Sequence, residues 1–294
     1  MDISVLLQAT INGLLIGGVY SLVAVGLTLI FGVSRIINFA HGEFLMLGMY
    51  LAYYVNAKLG LSPYISVLIC IPLFMALGAV VQTVLVNPVM KGPQDIQILL
   101  TVALALFLQN AALRFFYPTV RGLSIRSSTY SLSVGNTLIS FPRLAASIAA
   151  IGMILALYSL LRYTGIGKAI RACSEDREGA FLAGINVGRI FAVAFGIGIA
   201  CAGIAGALIA PFYPLSPFTG TVFTLTAFVV VVLGGMGDFL GALFGGFLIG
   251  VCESLAAIFI PASLKQVVSF GLFVLILLFR PSGLFGRKRE WLTV

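Results

Sequence analysis

Apolar residues run along this chain in long stretches, at about 4–31, 43–57, 63–86, 96–117, 140–161, 190–210, 221–234, 240–260 and 264–280. Many approach 20 residues, the length a helix needs to cross about 30 Å of hydrocarbon. The runs are continuous rather than alternating, which excludes a membrane β-barrel. The pattern predicts an all-α polytopic membrane protein with about 8–9 transmembrane helices, some short or broken. Eight spans plus a re-entrant piece fits as well as nine. The first run has no Lys or Arg before it and is too long for a signal h-region, so it reads as a retained helix. With no linker, repeat or soluble segment, residues 1–294 read as a single transmembrane domain.

Charge then orients the spans. Only 9% of residues are charged, mean hydropathy is +1.15, and the net charge is +8. The basic residues cluster at the ends of apolar runs, a distribution that argues against nucleic-acid binding and encodes membrane orientation instead. Arg162, Lys168, Arg171, Arg177 and Arg189 mark the loop at about 163–189 as cytoplasmic, and Arg280, Arg287, Lys288 and Arg289 do the same for the tail. Four apolar segments separate them, an even number, so both assignments agree. The loop at about 118–139 then lies outside, although Arg121 and Arg126 run against the trend. With nine spans the N-terminus lies outside too. Within that loop SIRSSTYSLSV alternates like a strand. Its two arginines either pair with acids on a docking partner or are simply solvated.

Familiar chemistry is absent. TGIGKA at 164–169 lacks the upstream glycine and the hydroxyl of a P-loop, and no G-x-S-x-G or H-E-x-x-H occurs. A single histidine cannot build the common metal sites, and four cysteines without CxxC spacing suggest small buried residues. The chain is not expected to be an enzyme or to hold a metal or cofactor.

Polar residues inside the apolar runs are therefore the candidates for a translocation path. INFAHGEF at 37–44 gathers Asn38, the sole histidine His41, and Glu43. One reading is a cytoplasmic turn in which Asn38 caps a helix, Glu43 occupies its first turn, and His41 and Glu43 pair. The other is a broken span whose polar groups face a substrate. Asn12 and Glu253 are further candidates, each either on the path or a strut between helices. Gly13 and Gly17, and Gly237, Gly241 and Gly245 with Gly246 and Gly250, recur every four residues and predict close helix packing.

The loop GIGKAIRACSEDREGAFLAGINVGRI, 165–190, is amphipathic and too long for a bare connection. It is either a docking surface or an interfacial helix lying on the bilayer. Its REGAFLAG, 177–184, resembles the E-A-A-x-x-x-G motif of ABC importer permeases, with Glu178 and Gly184 in the E and G positions and Gly179 in place of the first alanine. GLLIGGVYSLVAVGLTLIFGVSRIINFAHGEFLMLGMY at 13–50 and VVVVLGGMGDFLGALFGGFLIG at 229–250 extend the likeness. Together these stretches resemble the branched-chain amino acid ABC transporter permease family, in its shorter, LivH-type form.

That resemblance implies an importer subunit of a bacterial cytoplasmic (inner) membrane that moves branched-chain amino acids inward. It implies a LivM-type second permease in a heterodimer, two cytoplasmic ATPase subunits that use the ATP, an extracytoplasmic substrate-binding protein, and surrounding lipid. Arg177, Glu178, Gly179 and Gly184 become ATPase-coupling positions. Arg121 and Arg126 become candidates for binding-protein docking. Family members for urea, other amino acids or small carboxylates stay open as alternatives, as does a self-sufficient channel or ion-coupled carrier.

Overall fold

The computed structural model describes residues 3–90, 92–123, 131–134, 137–261, 264–280 and 282–285. Each of the nine apolar runs becomes a helical stretch. The chain opens with α1 (Ile3–Ser34) and α2 (His41–Leu59). A 3₁₀ turn (Pro63–Ile65) leads into α3 (Ser66–Val81), which continues through a π turn (Gln82–Val86) into the short α4 (Asn87–Val89). After α5 (Gln94–Phe116) comes a hairpin of β1 (Ser131–Val134) and β2 (Thr137–Ser140), antiparallel with Leu132 opposite Ile139. Then follow α6 (Phe141–Tyr163), α7 (Gly165–Glu175), α8 (Arg177–Leu182), α9 (Val187–Ile209), α10 (Thr219–Gly234), α11 (Phe239–Ala256) and α12 (Lys265–Phe279).

Six helical stretches among the described residues are long and apolar enough to cross a membrane: α1, residues 63–89, α5, α6, α9 and α11. The helices α10 and α12 are shorter, and α2 carries His41, Glu43 and Lys58. The expectation of about eight or nine helices, some short or broken, is met by six full-length candidates with three shorter or more polar helices beside them.

The helices α1 and α9 form the centre, buried along most of their length, and Leu22, Ile30, Phe44, Phe195 and Ile199 interlock there. By contrast few residues of α5 are buried, and Leu99, Phe107 and Phe115 face outward, as suits a surface facing lipid or another membrane subunit. The crossing of α1 over α11 depends on bare backbone. A Cβ on Gly17 would lie 2.8 Å from Phe247 Cα, and one on Gly250 would lie 2.6 Å from Gly17 Cα. The stripe drawn from the sequence splits in two, however. Gly246 and Gly250 face α1, whereas Gly241 and Gly245 face Gly234 and Val230 on α10. Gly237 lies outside the helix, in the turn before it, with φ +90°. A four-residue repeat drifts around a 3.6-residue helix, so one stripe serves two neighbours.

The two ends of the bundle sort the loops. At one end Gln8 pairs in both directions with the main chain of Leu138, each bond 2.7 Å, and Arg121 bridges Leu215 through two 2.9 Å main-chain bonds. At the other end the α7–α8 segment meets the last turn of α1. There Leu284 N–H donates to the Leu233 carbonyl at 2.7 Å. The 163–189 loop and the segment leading to the tail thus share a face, opposite the N-terminus and the hairpin. Arg126, Arg287, Lys288 and Arg289 lie outside the described residues.

Candidate functional site

The INFAHGEF stretch is where the chain re-enters the bundle. Ser34 ends α1, and Arg35 turns the backbone with φ +61°. Residues 36–40 then run back along α1 without helical hydrogen bonding, with Ile36, Asn38 and Ala40 buried. As a result α2 starts beside Val23, whose carbonyl lies 3.0 Å from His41 Nε2. At 1.5 Å per residue, Val23 sits about 16 Å along α1 from its Ser34 end. The first span is unbroken; it is the second helix that begins inside the protein. Irregular backbone at such depth survives only where protein or a water-filled cavity covers it.

The helix α10 begins at the same place. The Gly42 N–H donates to Thr224 Oγ1 at 2.9 Å, and a Cβ on Gly42 would stand 2.1 Å from the Gly220 carbonyl. Gly220 in turn leaves room for the Glu43 carboxylate, which a Cβ there would meet at 2.3 Å. Glu43 Oε1 accepts from Thr221 Oγ1 at 3.2 Å, while Oε2 has no hydrogen-bond partner. A cavity of about 180 Å³ opens beside it, walled by Phe39, Val102, Leu106, Gln109, Thr221 and Leu225.

The expected His41–Glu43 pair does not form. Residues two apart on a helix point to different sides, so His41 reaches α1 and Glu43 reaches α10. Nor is Asn38 the helix cap. Its Oδ1 accepts from Ala40 N–H at 3.1 Å and closes a turn ahead of α2, whose first turn does hold Glu43.

Asn12 and Glu253 lie elsewhere and do not line this cavity. Asn12 accepts from Arg143 Nη1 at 3.3 Å and ties α1 to α6. Glu253 is buried at 7% exposure. It accepts from Tyr20 at 2.9 Å and from Ser269, joining α11 to α1 and α12. In the hairpin-end loop, Arg121 Nη2 donates to the Phe116 carbonyl at 2.9 Å and the guanidinium lies over Tyr53.

The loop between α6 and α9 folds into the two short helices foreseen as an amphipathic segment. Ile170 and Cys173 on α7 are buried against the bundle, and α7 helps wall a cavity of about 560 Å³ with Gly32, Tyr158 and Arg162. Asp176 caps α8 by accepting from Glu178 N–H at 3.0 Å. Its carboxylate fills the space beside Gly179, where a Cβ would meet Oδ2 at 2.5 Å.

The far end of α8 closes in a Schellman arrangement: Ile185 N–H to Ala180 O and Gly184 N–H to Phe181 O, both 3.0 Å, with Gly184 at φ +82°. Phe181 and Leu182 point away from the protein, 69% and 84% exposed. Glu178 is exposed beside them. Arg177 turns inward, donating to the Ser34 carbonyl at 2.8 Å and stacking on Phe191. Burial lowers the Arg177 pKa from its usual value, yet arginine remains cationic at any physiological pH.

Sequence reading missed Thr221 and Thr224, the partners of Glu43 and Gly42. The available signal was TGTVFTLT at 219–226, four threonines opening an otherwise apolar run.

The model of the family described as "Branched-chain amino acid transport system / permease component" matches residues 9–277. The high-affinity branched-chain amino acid transport system permease protein LivH of Escherichia coli K12 is 34% identical over 96% of each chain. BraD of Pseudomonas aeruginosa is 33% identical, again over 96% of each. LivM of Escherichia coli K12, the permease protein of the same system's name, is 27% identical over 94% of this chain and 70% of its own. Among solved structures, PsaBC from Streptococcus pneumoniae in complex with Fab is 14% identical over 94% of this chain, with a TM-score of 0.49.

Proposed function

Because the chain belongs to the family of branched-chain amino acid transport permeases, we propose that it forms half of the membrane pathway of an ATP-driven importer. It is a permease component of a branched-chain amino acid ABC transport system, as LivH and BraD are. It is a transport component that crosses the membrane many times. The finer reading is that it pairs with a LivM-type permease, rests on two ATPase subunits that hold the ATP, and receives substrate from an extracytoplasmic binding protein. The membrane is the bacterial cytoplasmic membrane, with the 163–189 loop and the C-terminus on the cytoplasmic side.

One observation supports this reading above the rest. The helix α8 is capped at both ends, shows Phe181 and Leu182 to the outside, and is fastened by Arg177 to the end of α1. A helix resting on the bilayer needs no rigid link to the transport core; a lever driven by a partner does. The test is to tag the chain, extract it gently from its native membrane and identify what copurifies by mass spectrometry. Two ATPases and a second permease are expected. Recovery of the chain alone, or only with copies of itself, would overturn the importer reading.

A further inference from the structure

Glu43 is the one carboxylate beside the cavity where α2 and α10 begin, and it is only 2% exposed. It occupies the first turn of α2 and lies against Gly220 in the first turn of α10. The positive ends of two helix dipoles thus favour its negative charge. In many transporters such paired helix starts await an anionic group of the substrate; here the protein supplies the anion itself. Oε1 is satisfied by Thr221, and Oε2 has no donor. A buried acceptor left in that state is costly, and more so when charged.

Among the described residues that wall the cavity, none is basic. Gln109, the polar residue on the opposite wall, directs its amide toward Thr221 Oγ1 at 3.4 Å. Thr224 Oγ1 already accepts from the Gly42 N–H, and the other walls, Phe39, Val102, Leu106 and Leu225, are apolar. A volume of about 180 Å³ holds roughly six waters, enough for a small organic molecule. The complementary occupant carries a cationic N–H donor next to an aliphatic body.

We propose that Glu43 binds the α-ammonium group of the transported amino acid, with the aliphatic side chain against Phe39 and Leu106. This rests on the importer reading and adds a residue that recognises substrate within the membrane. The substrate carboxylate is left free of Glu43, so the site prefers amino acids over the corresponding simple carboxylic acids.

The test uses the whole complex in phosphatidylglycerol nanodiscs, which contain no amine headgroups, with Ala105→Cys in the cavity wall as reporter and Cys252 replaced by alanine. A cationic aminoethyl methanethiosulfonate should label the cysteine about tenfold faster than the anionic sulfonatoethyl reagent, beyond their ratio on a free thiol. Glu43→Gln should erase that excess. Leucine should protect the cysteine, and 4-methylpentanoate, which lacks the ammonium group, should not. Equal protection by both compounds, or an excess untouched by Glu43→Gln, would overturn the assignment. The protection comparison needs no change at Glu43, so it decides the matter even if Glu43→Gln fails to assemble. If the reporter complex with Glu43 intact protects selectively yet the parent complex imports no leucine, the importer reading falls and the ammonium site stands.

Discussion

The guanidinium of Arg177 donates to the main-chain carbonyl of Ser34 at 2.8 Å and to that of Val33 at 3.3 Å. These carbonyls belong to the last turn of α1, where no following helical N–H reaches them. One cation therefore caps the central helix of the bundle while riding on the peripheral helix α8. Anything that moves α8 pulls on α1.

Replacing Arg177 by alanine should cut uptake by roughly an order of magnitude, since hydrogen bonds to a charged group are worth about 1.5–3 kcal/mol. The ATPases should still copurify, because Phe181 and Leu182 remain in place. Arg177→Lys should recover little, as a single ammonium cannot match a planar guanidinium that bridges two carbonyls while its carbon lies 5.0 Å from the Phe191 ring centre. Parental uptake in Arg177→Ala would show that the link transmits nothing.

Gly184→Val places a β-branched residue at φ +82°. The left-handed region costs a non-glycine residue about 1–2 kcal/mol, enough to unwind a helix as short as α8. ATPase copurification and uptake should fall together. Gly184→Asn should retain most of both, because asparagine tolerates that conformation. Equal damage from the two substitutions would point to a contact rather than to the backbone.

Gly250→Leu should reduce the amount of folded protein in the membrane and lower its thermal stability in detergent, because α1 leaves no room for a side chain there. Overpacking costs about 1–3 kcal/mol where the backbone can shift. Gly152→Leu is the matched control, as nothing lies within 4 Å of a Cβ at that position. Similar stability of the two variants would contradict the packing described for α1 and α11.

Glu253→Gln should behave as a weakened strut. The carboxylate accepts from Tyr20 and Ser269 together, and an amide offers only one acceptor oxygen. Stability should fall by about 1–3 kcal/mol, and Tyr20→Phe added to Glu253→Gln should cost less than the two single losses combined. Additive losses would mean that the two residues do not act through one bond.

Helix existence was legible in the chain because unbroken apolar runs leave little alternative in lipid. The α8 segment was legible too, through its charged and apolar alternation and its glycines. What escaped was depth. The gap between the first two apolar runs marks residues 32–42 as a connection, but not one that folds back along α1. Arg35 at φ +61° and the contact between Gly42 and Gly220 are long-range facts. The sequence expectation joined His41 to Glu43 because they are neighbours in the chain. The fold sends one to Val23 and the other to Thr221, each chosen by a helix that local pattern does not reveal.

The meeting of α2 and α10 has a consequence for biogenesis. Glu43 enters the bilayer early in synthesis, but Gly220 and Thr221, which cover it, follow only after some 180 further residues. At typical rates of about 5–20 residues per second, that interval lasts on the order of ten seconds or more. Throughout it the Glu43 carboxylate sits in a nascent membrane protein without its final neighbours, whereas His41 already has its own. The apolar α1, already inserted, offers the first shelter through its Val23 carbonyl. The pathway can therefore be completed only from the C-terminal half of the chain backward, and a product truncated before α10 leaves Glu43 uncovered.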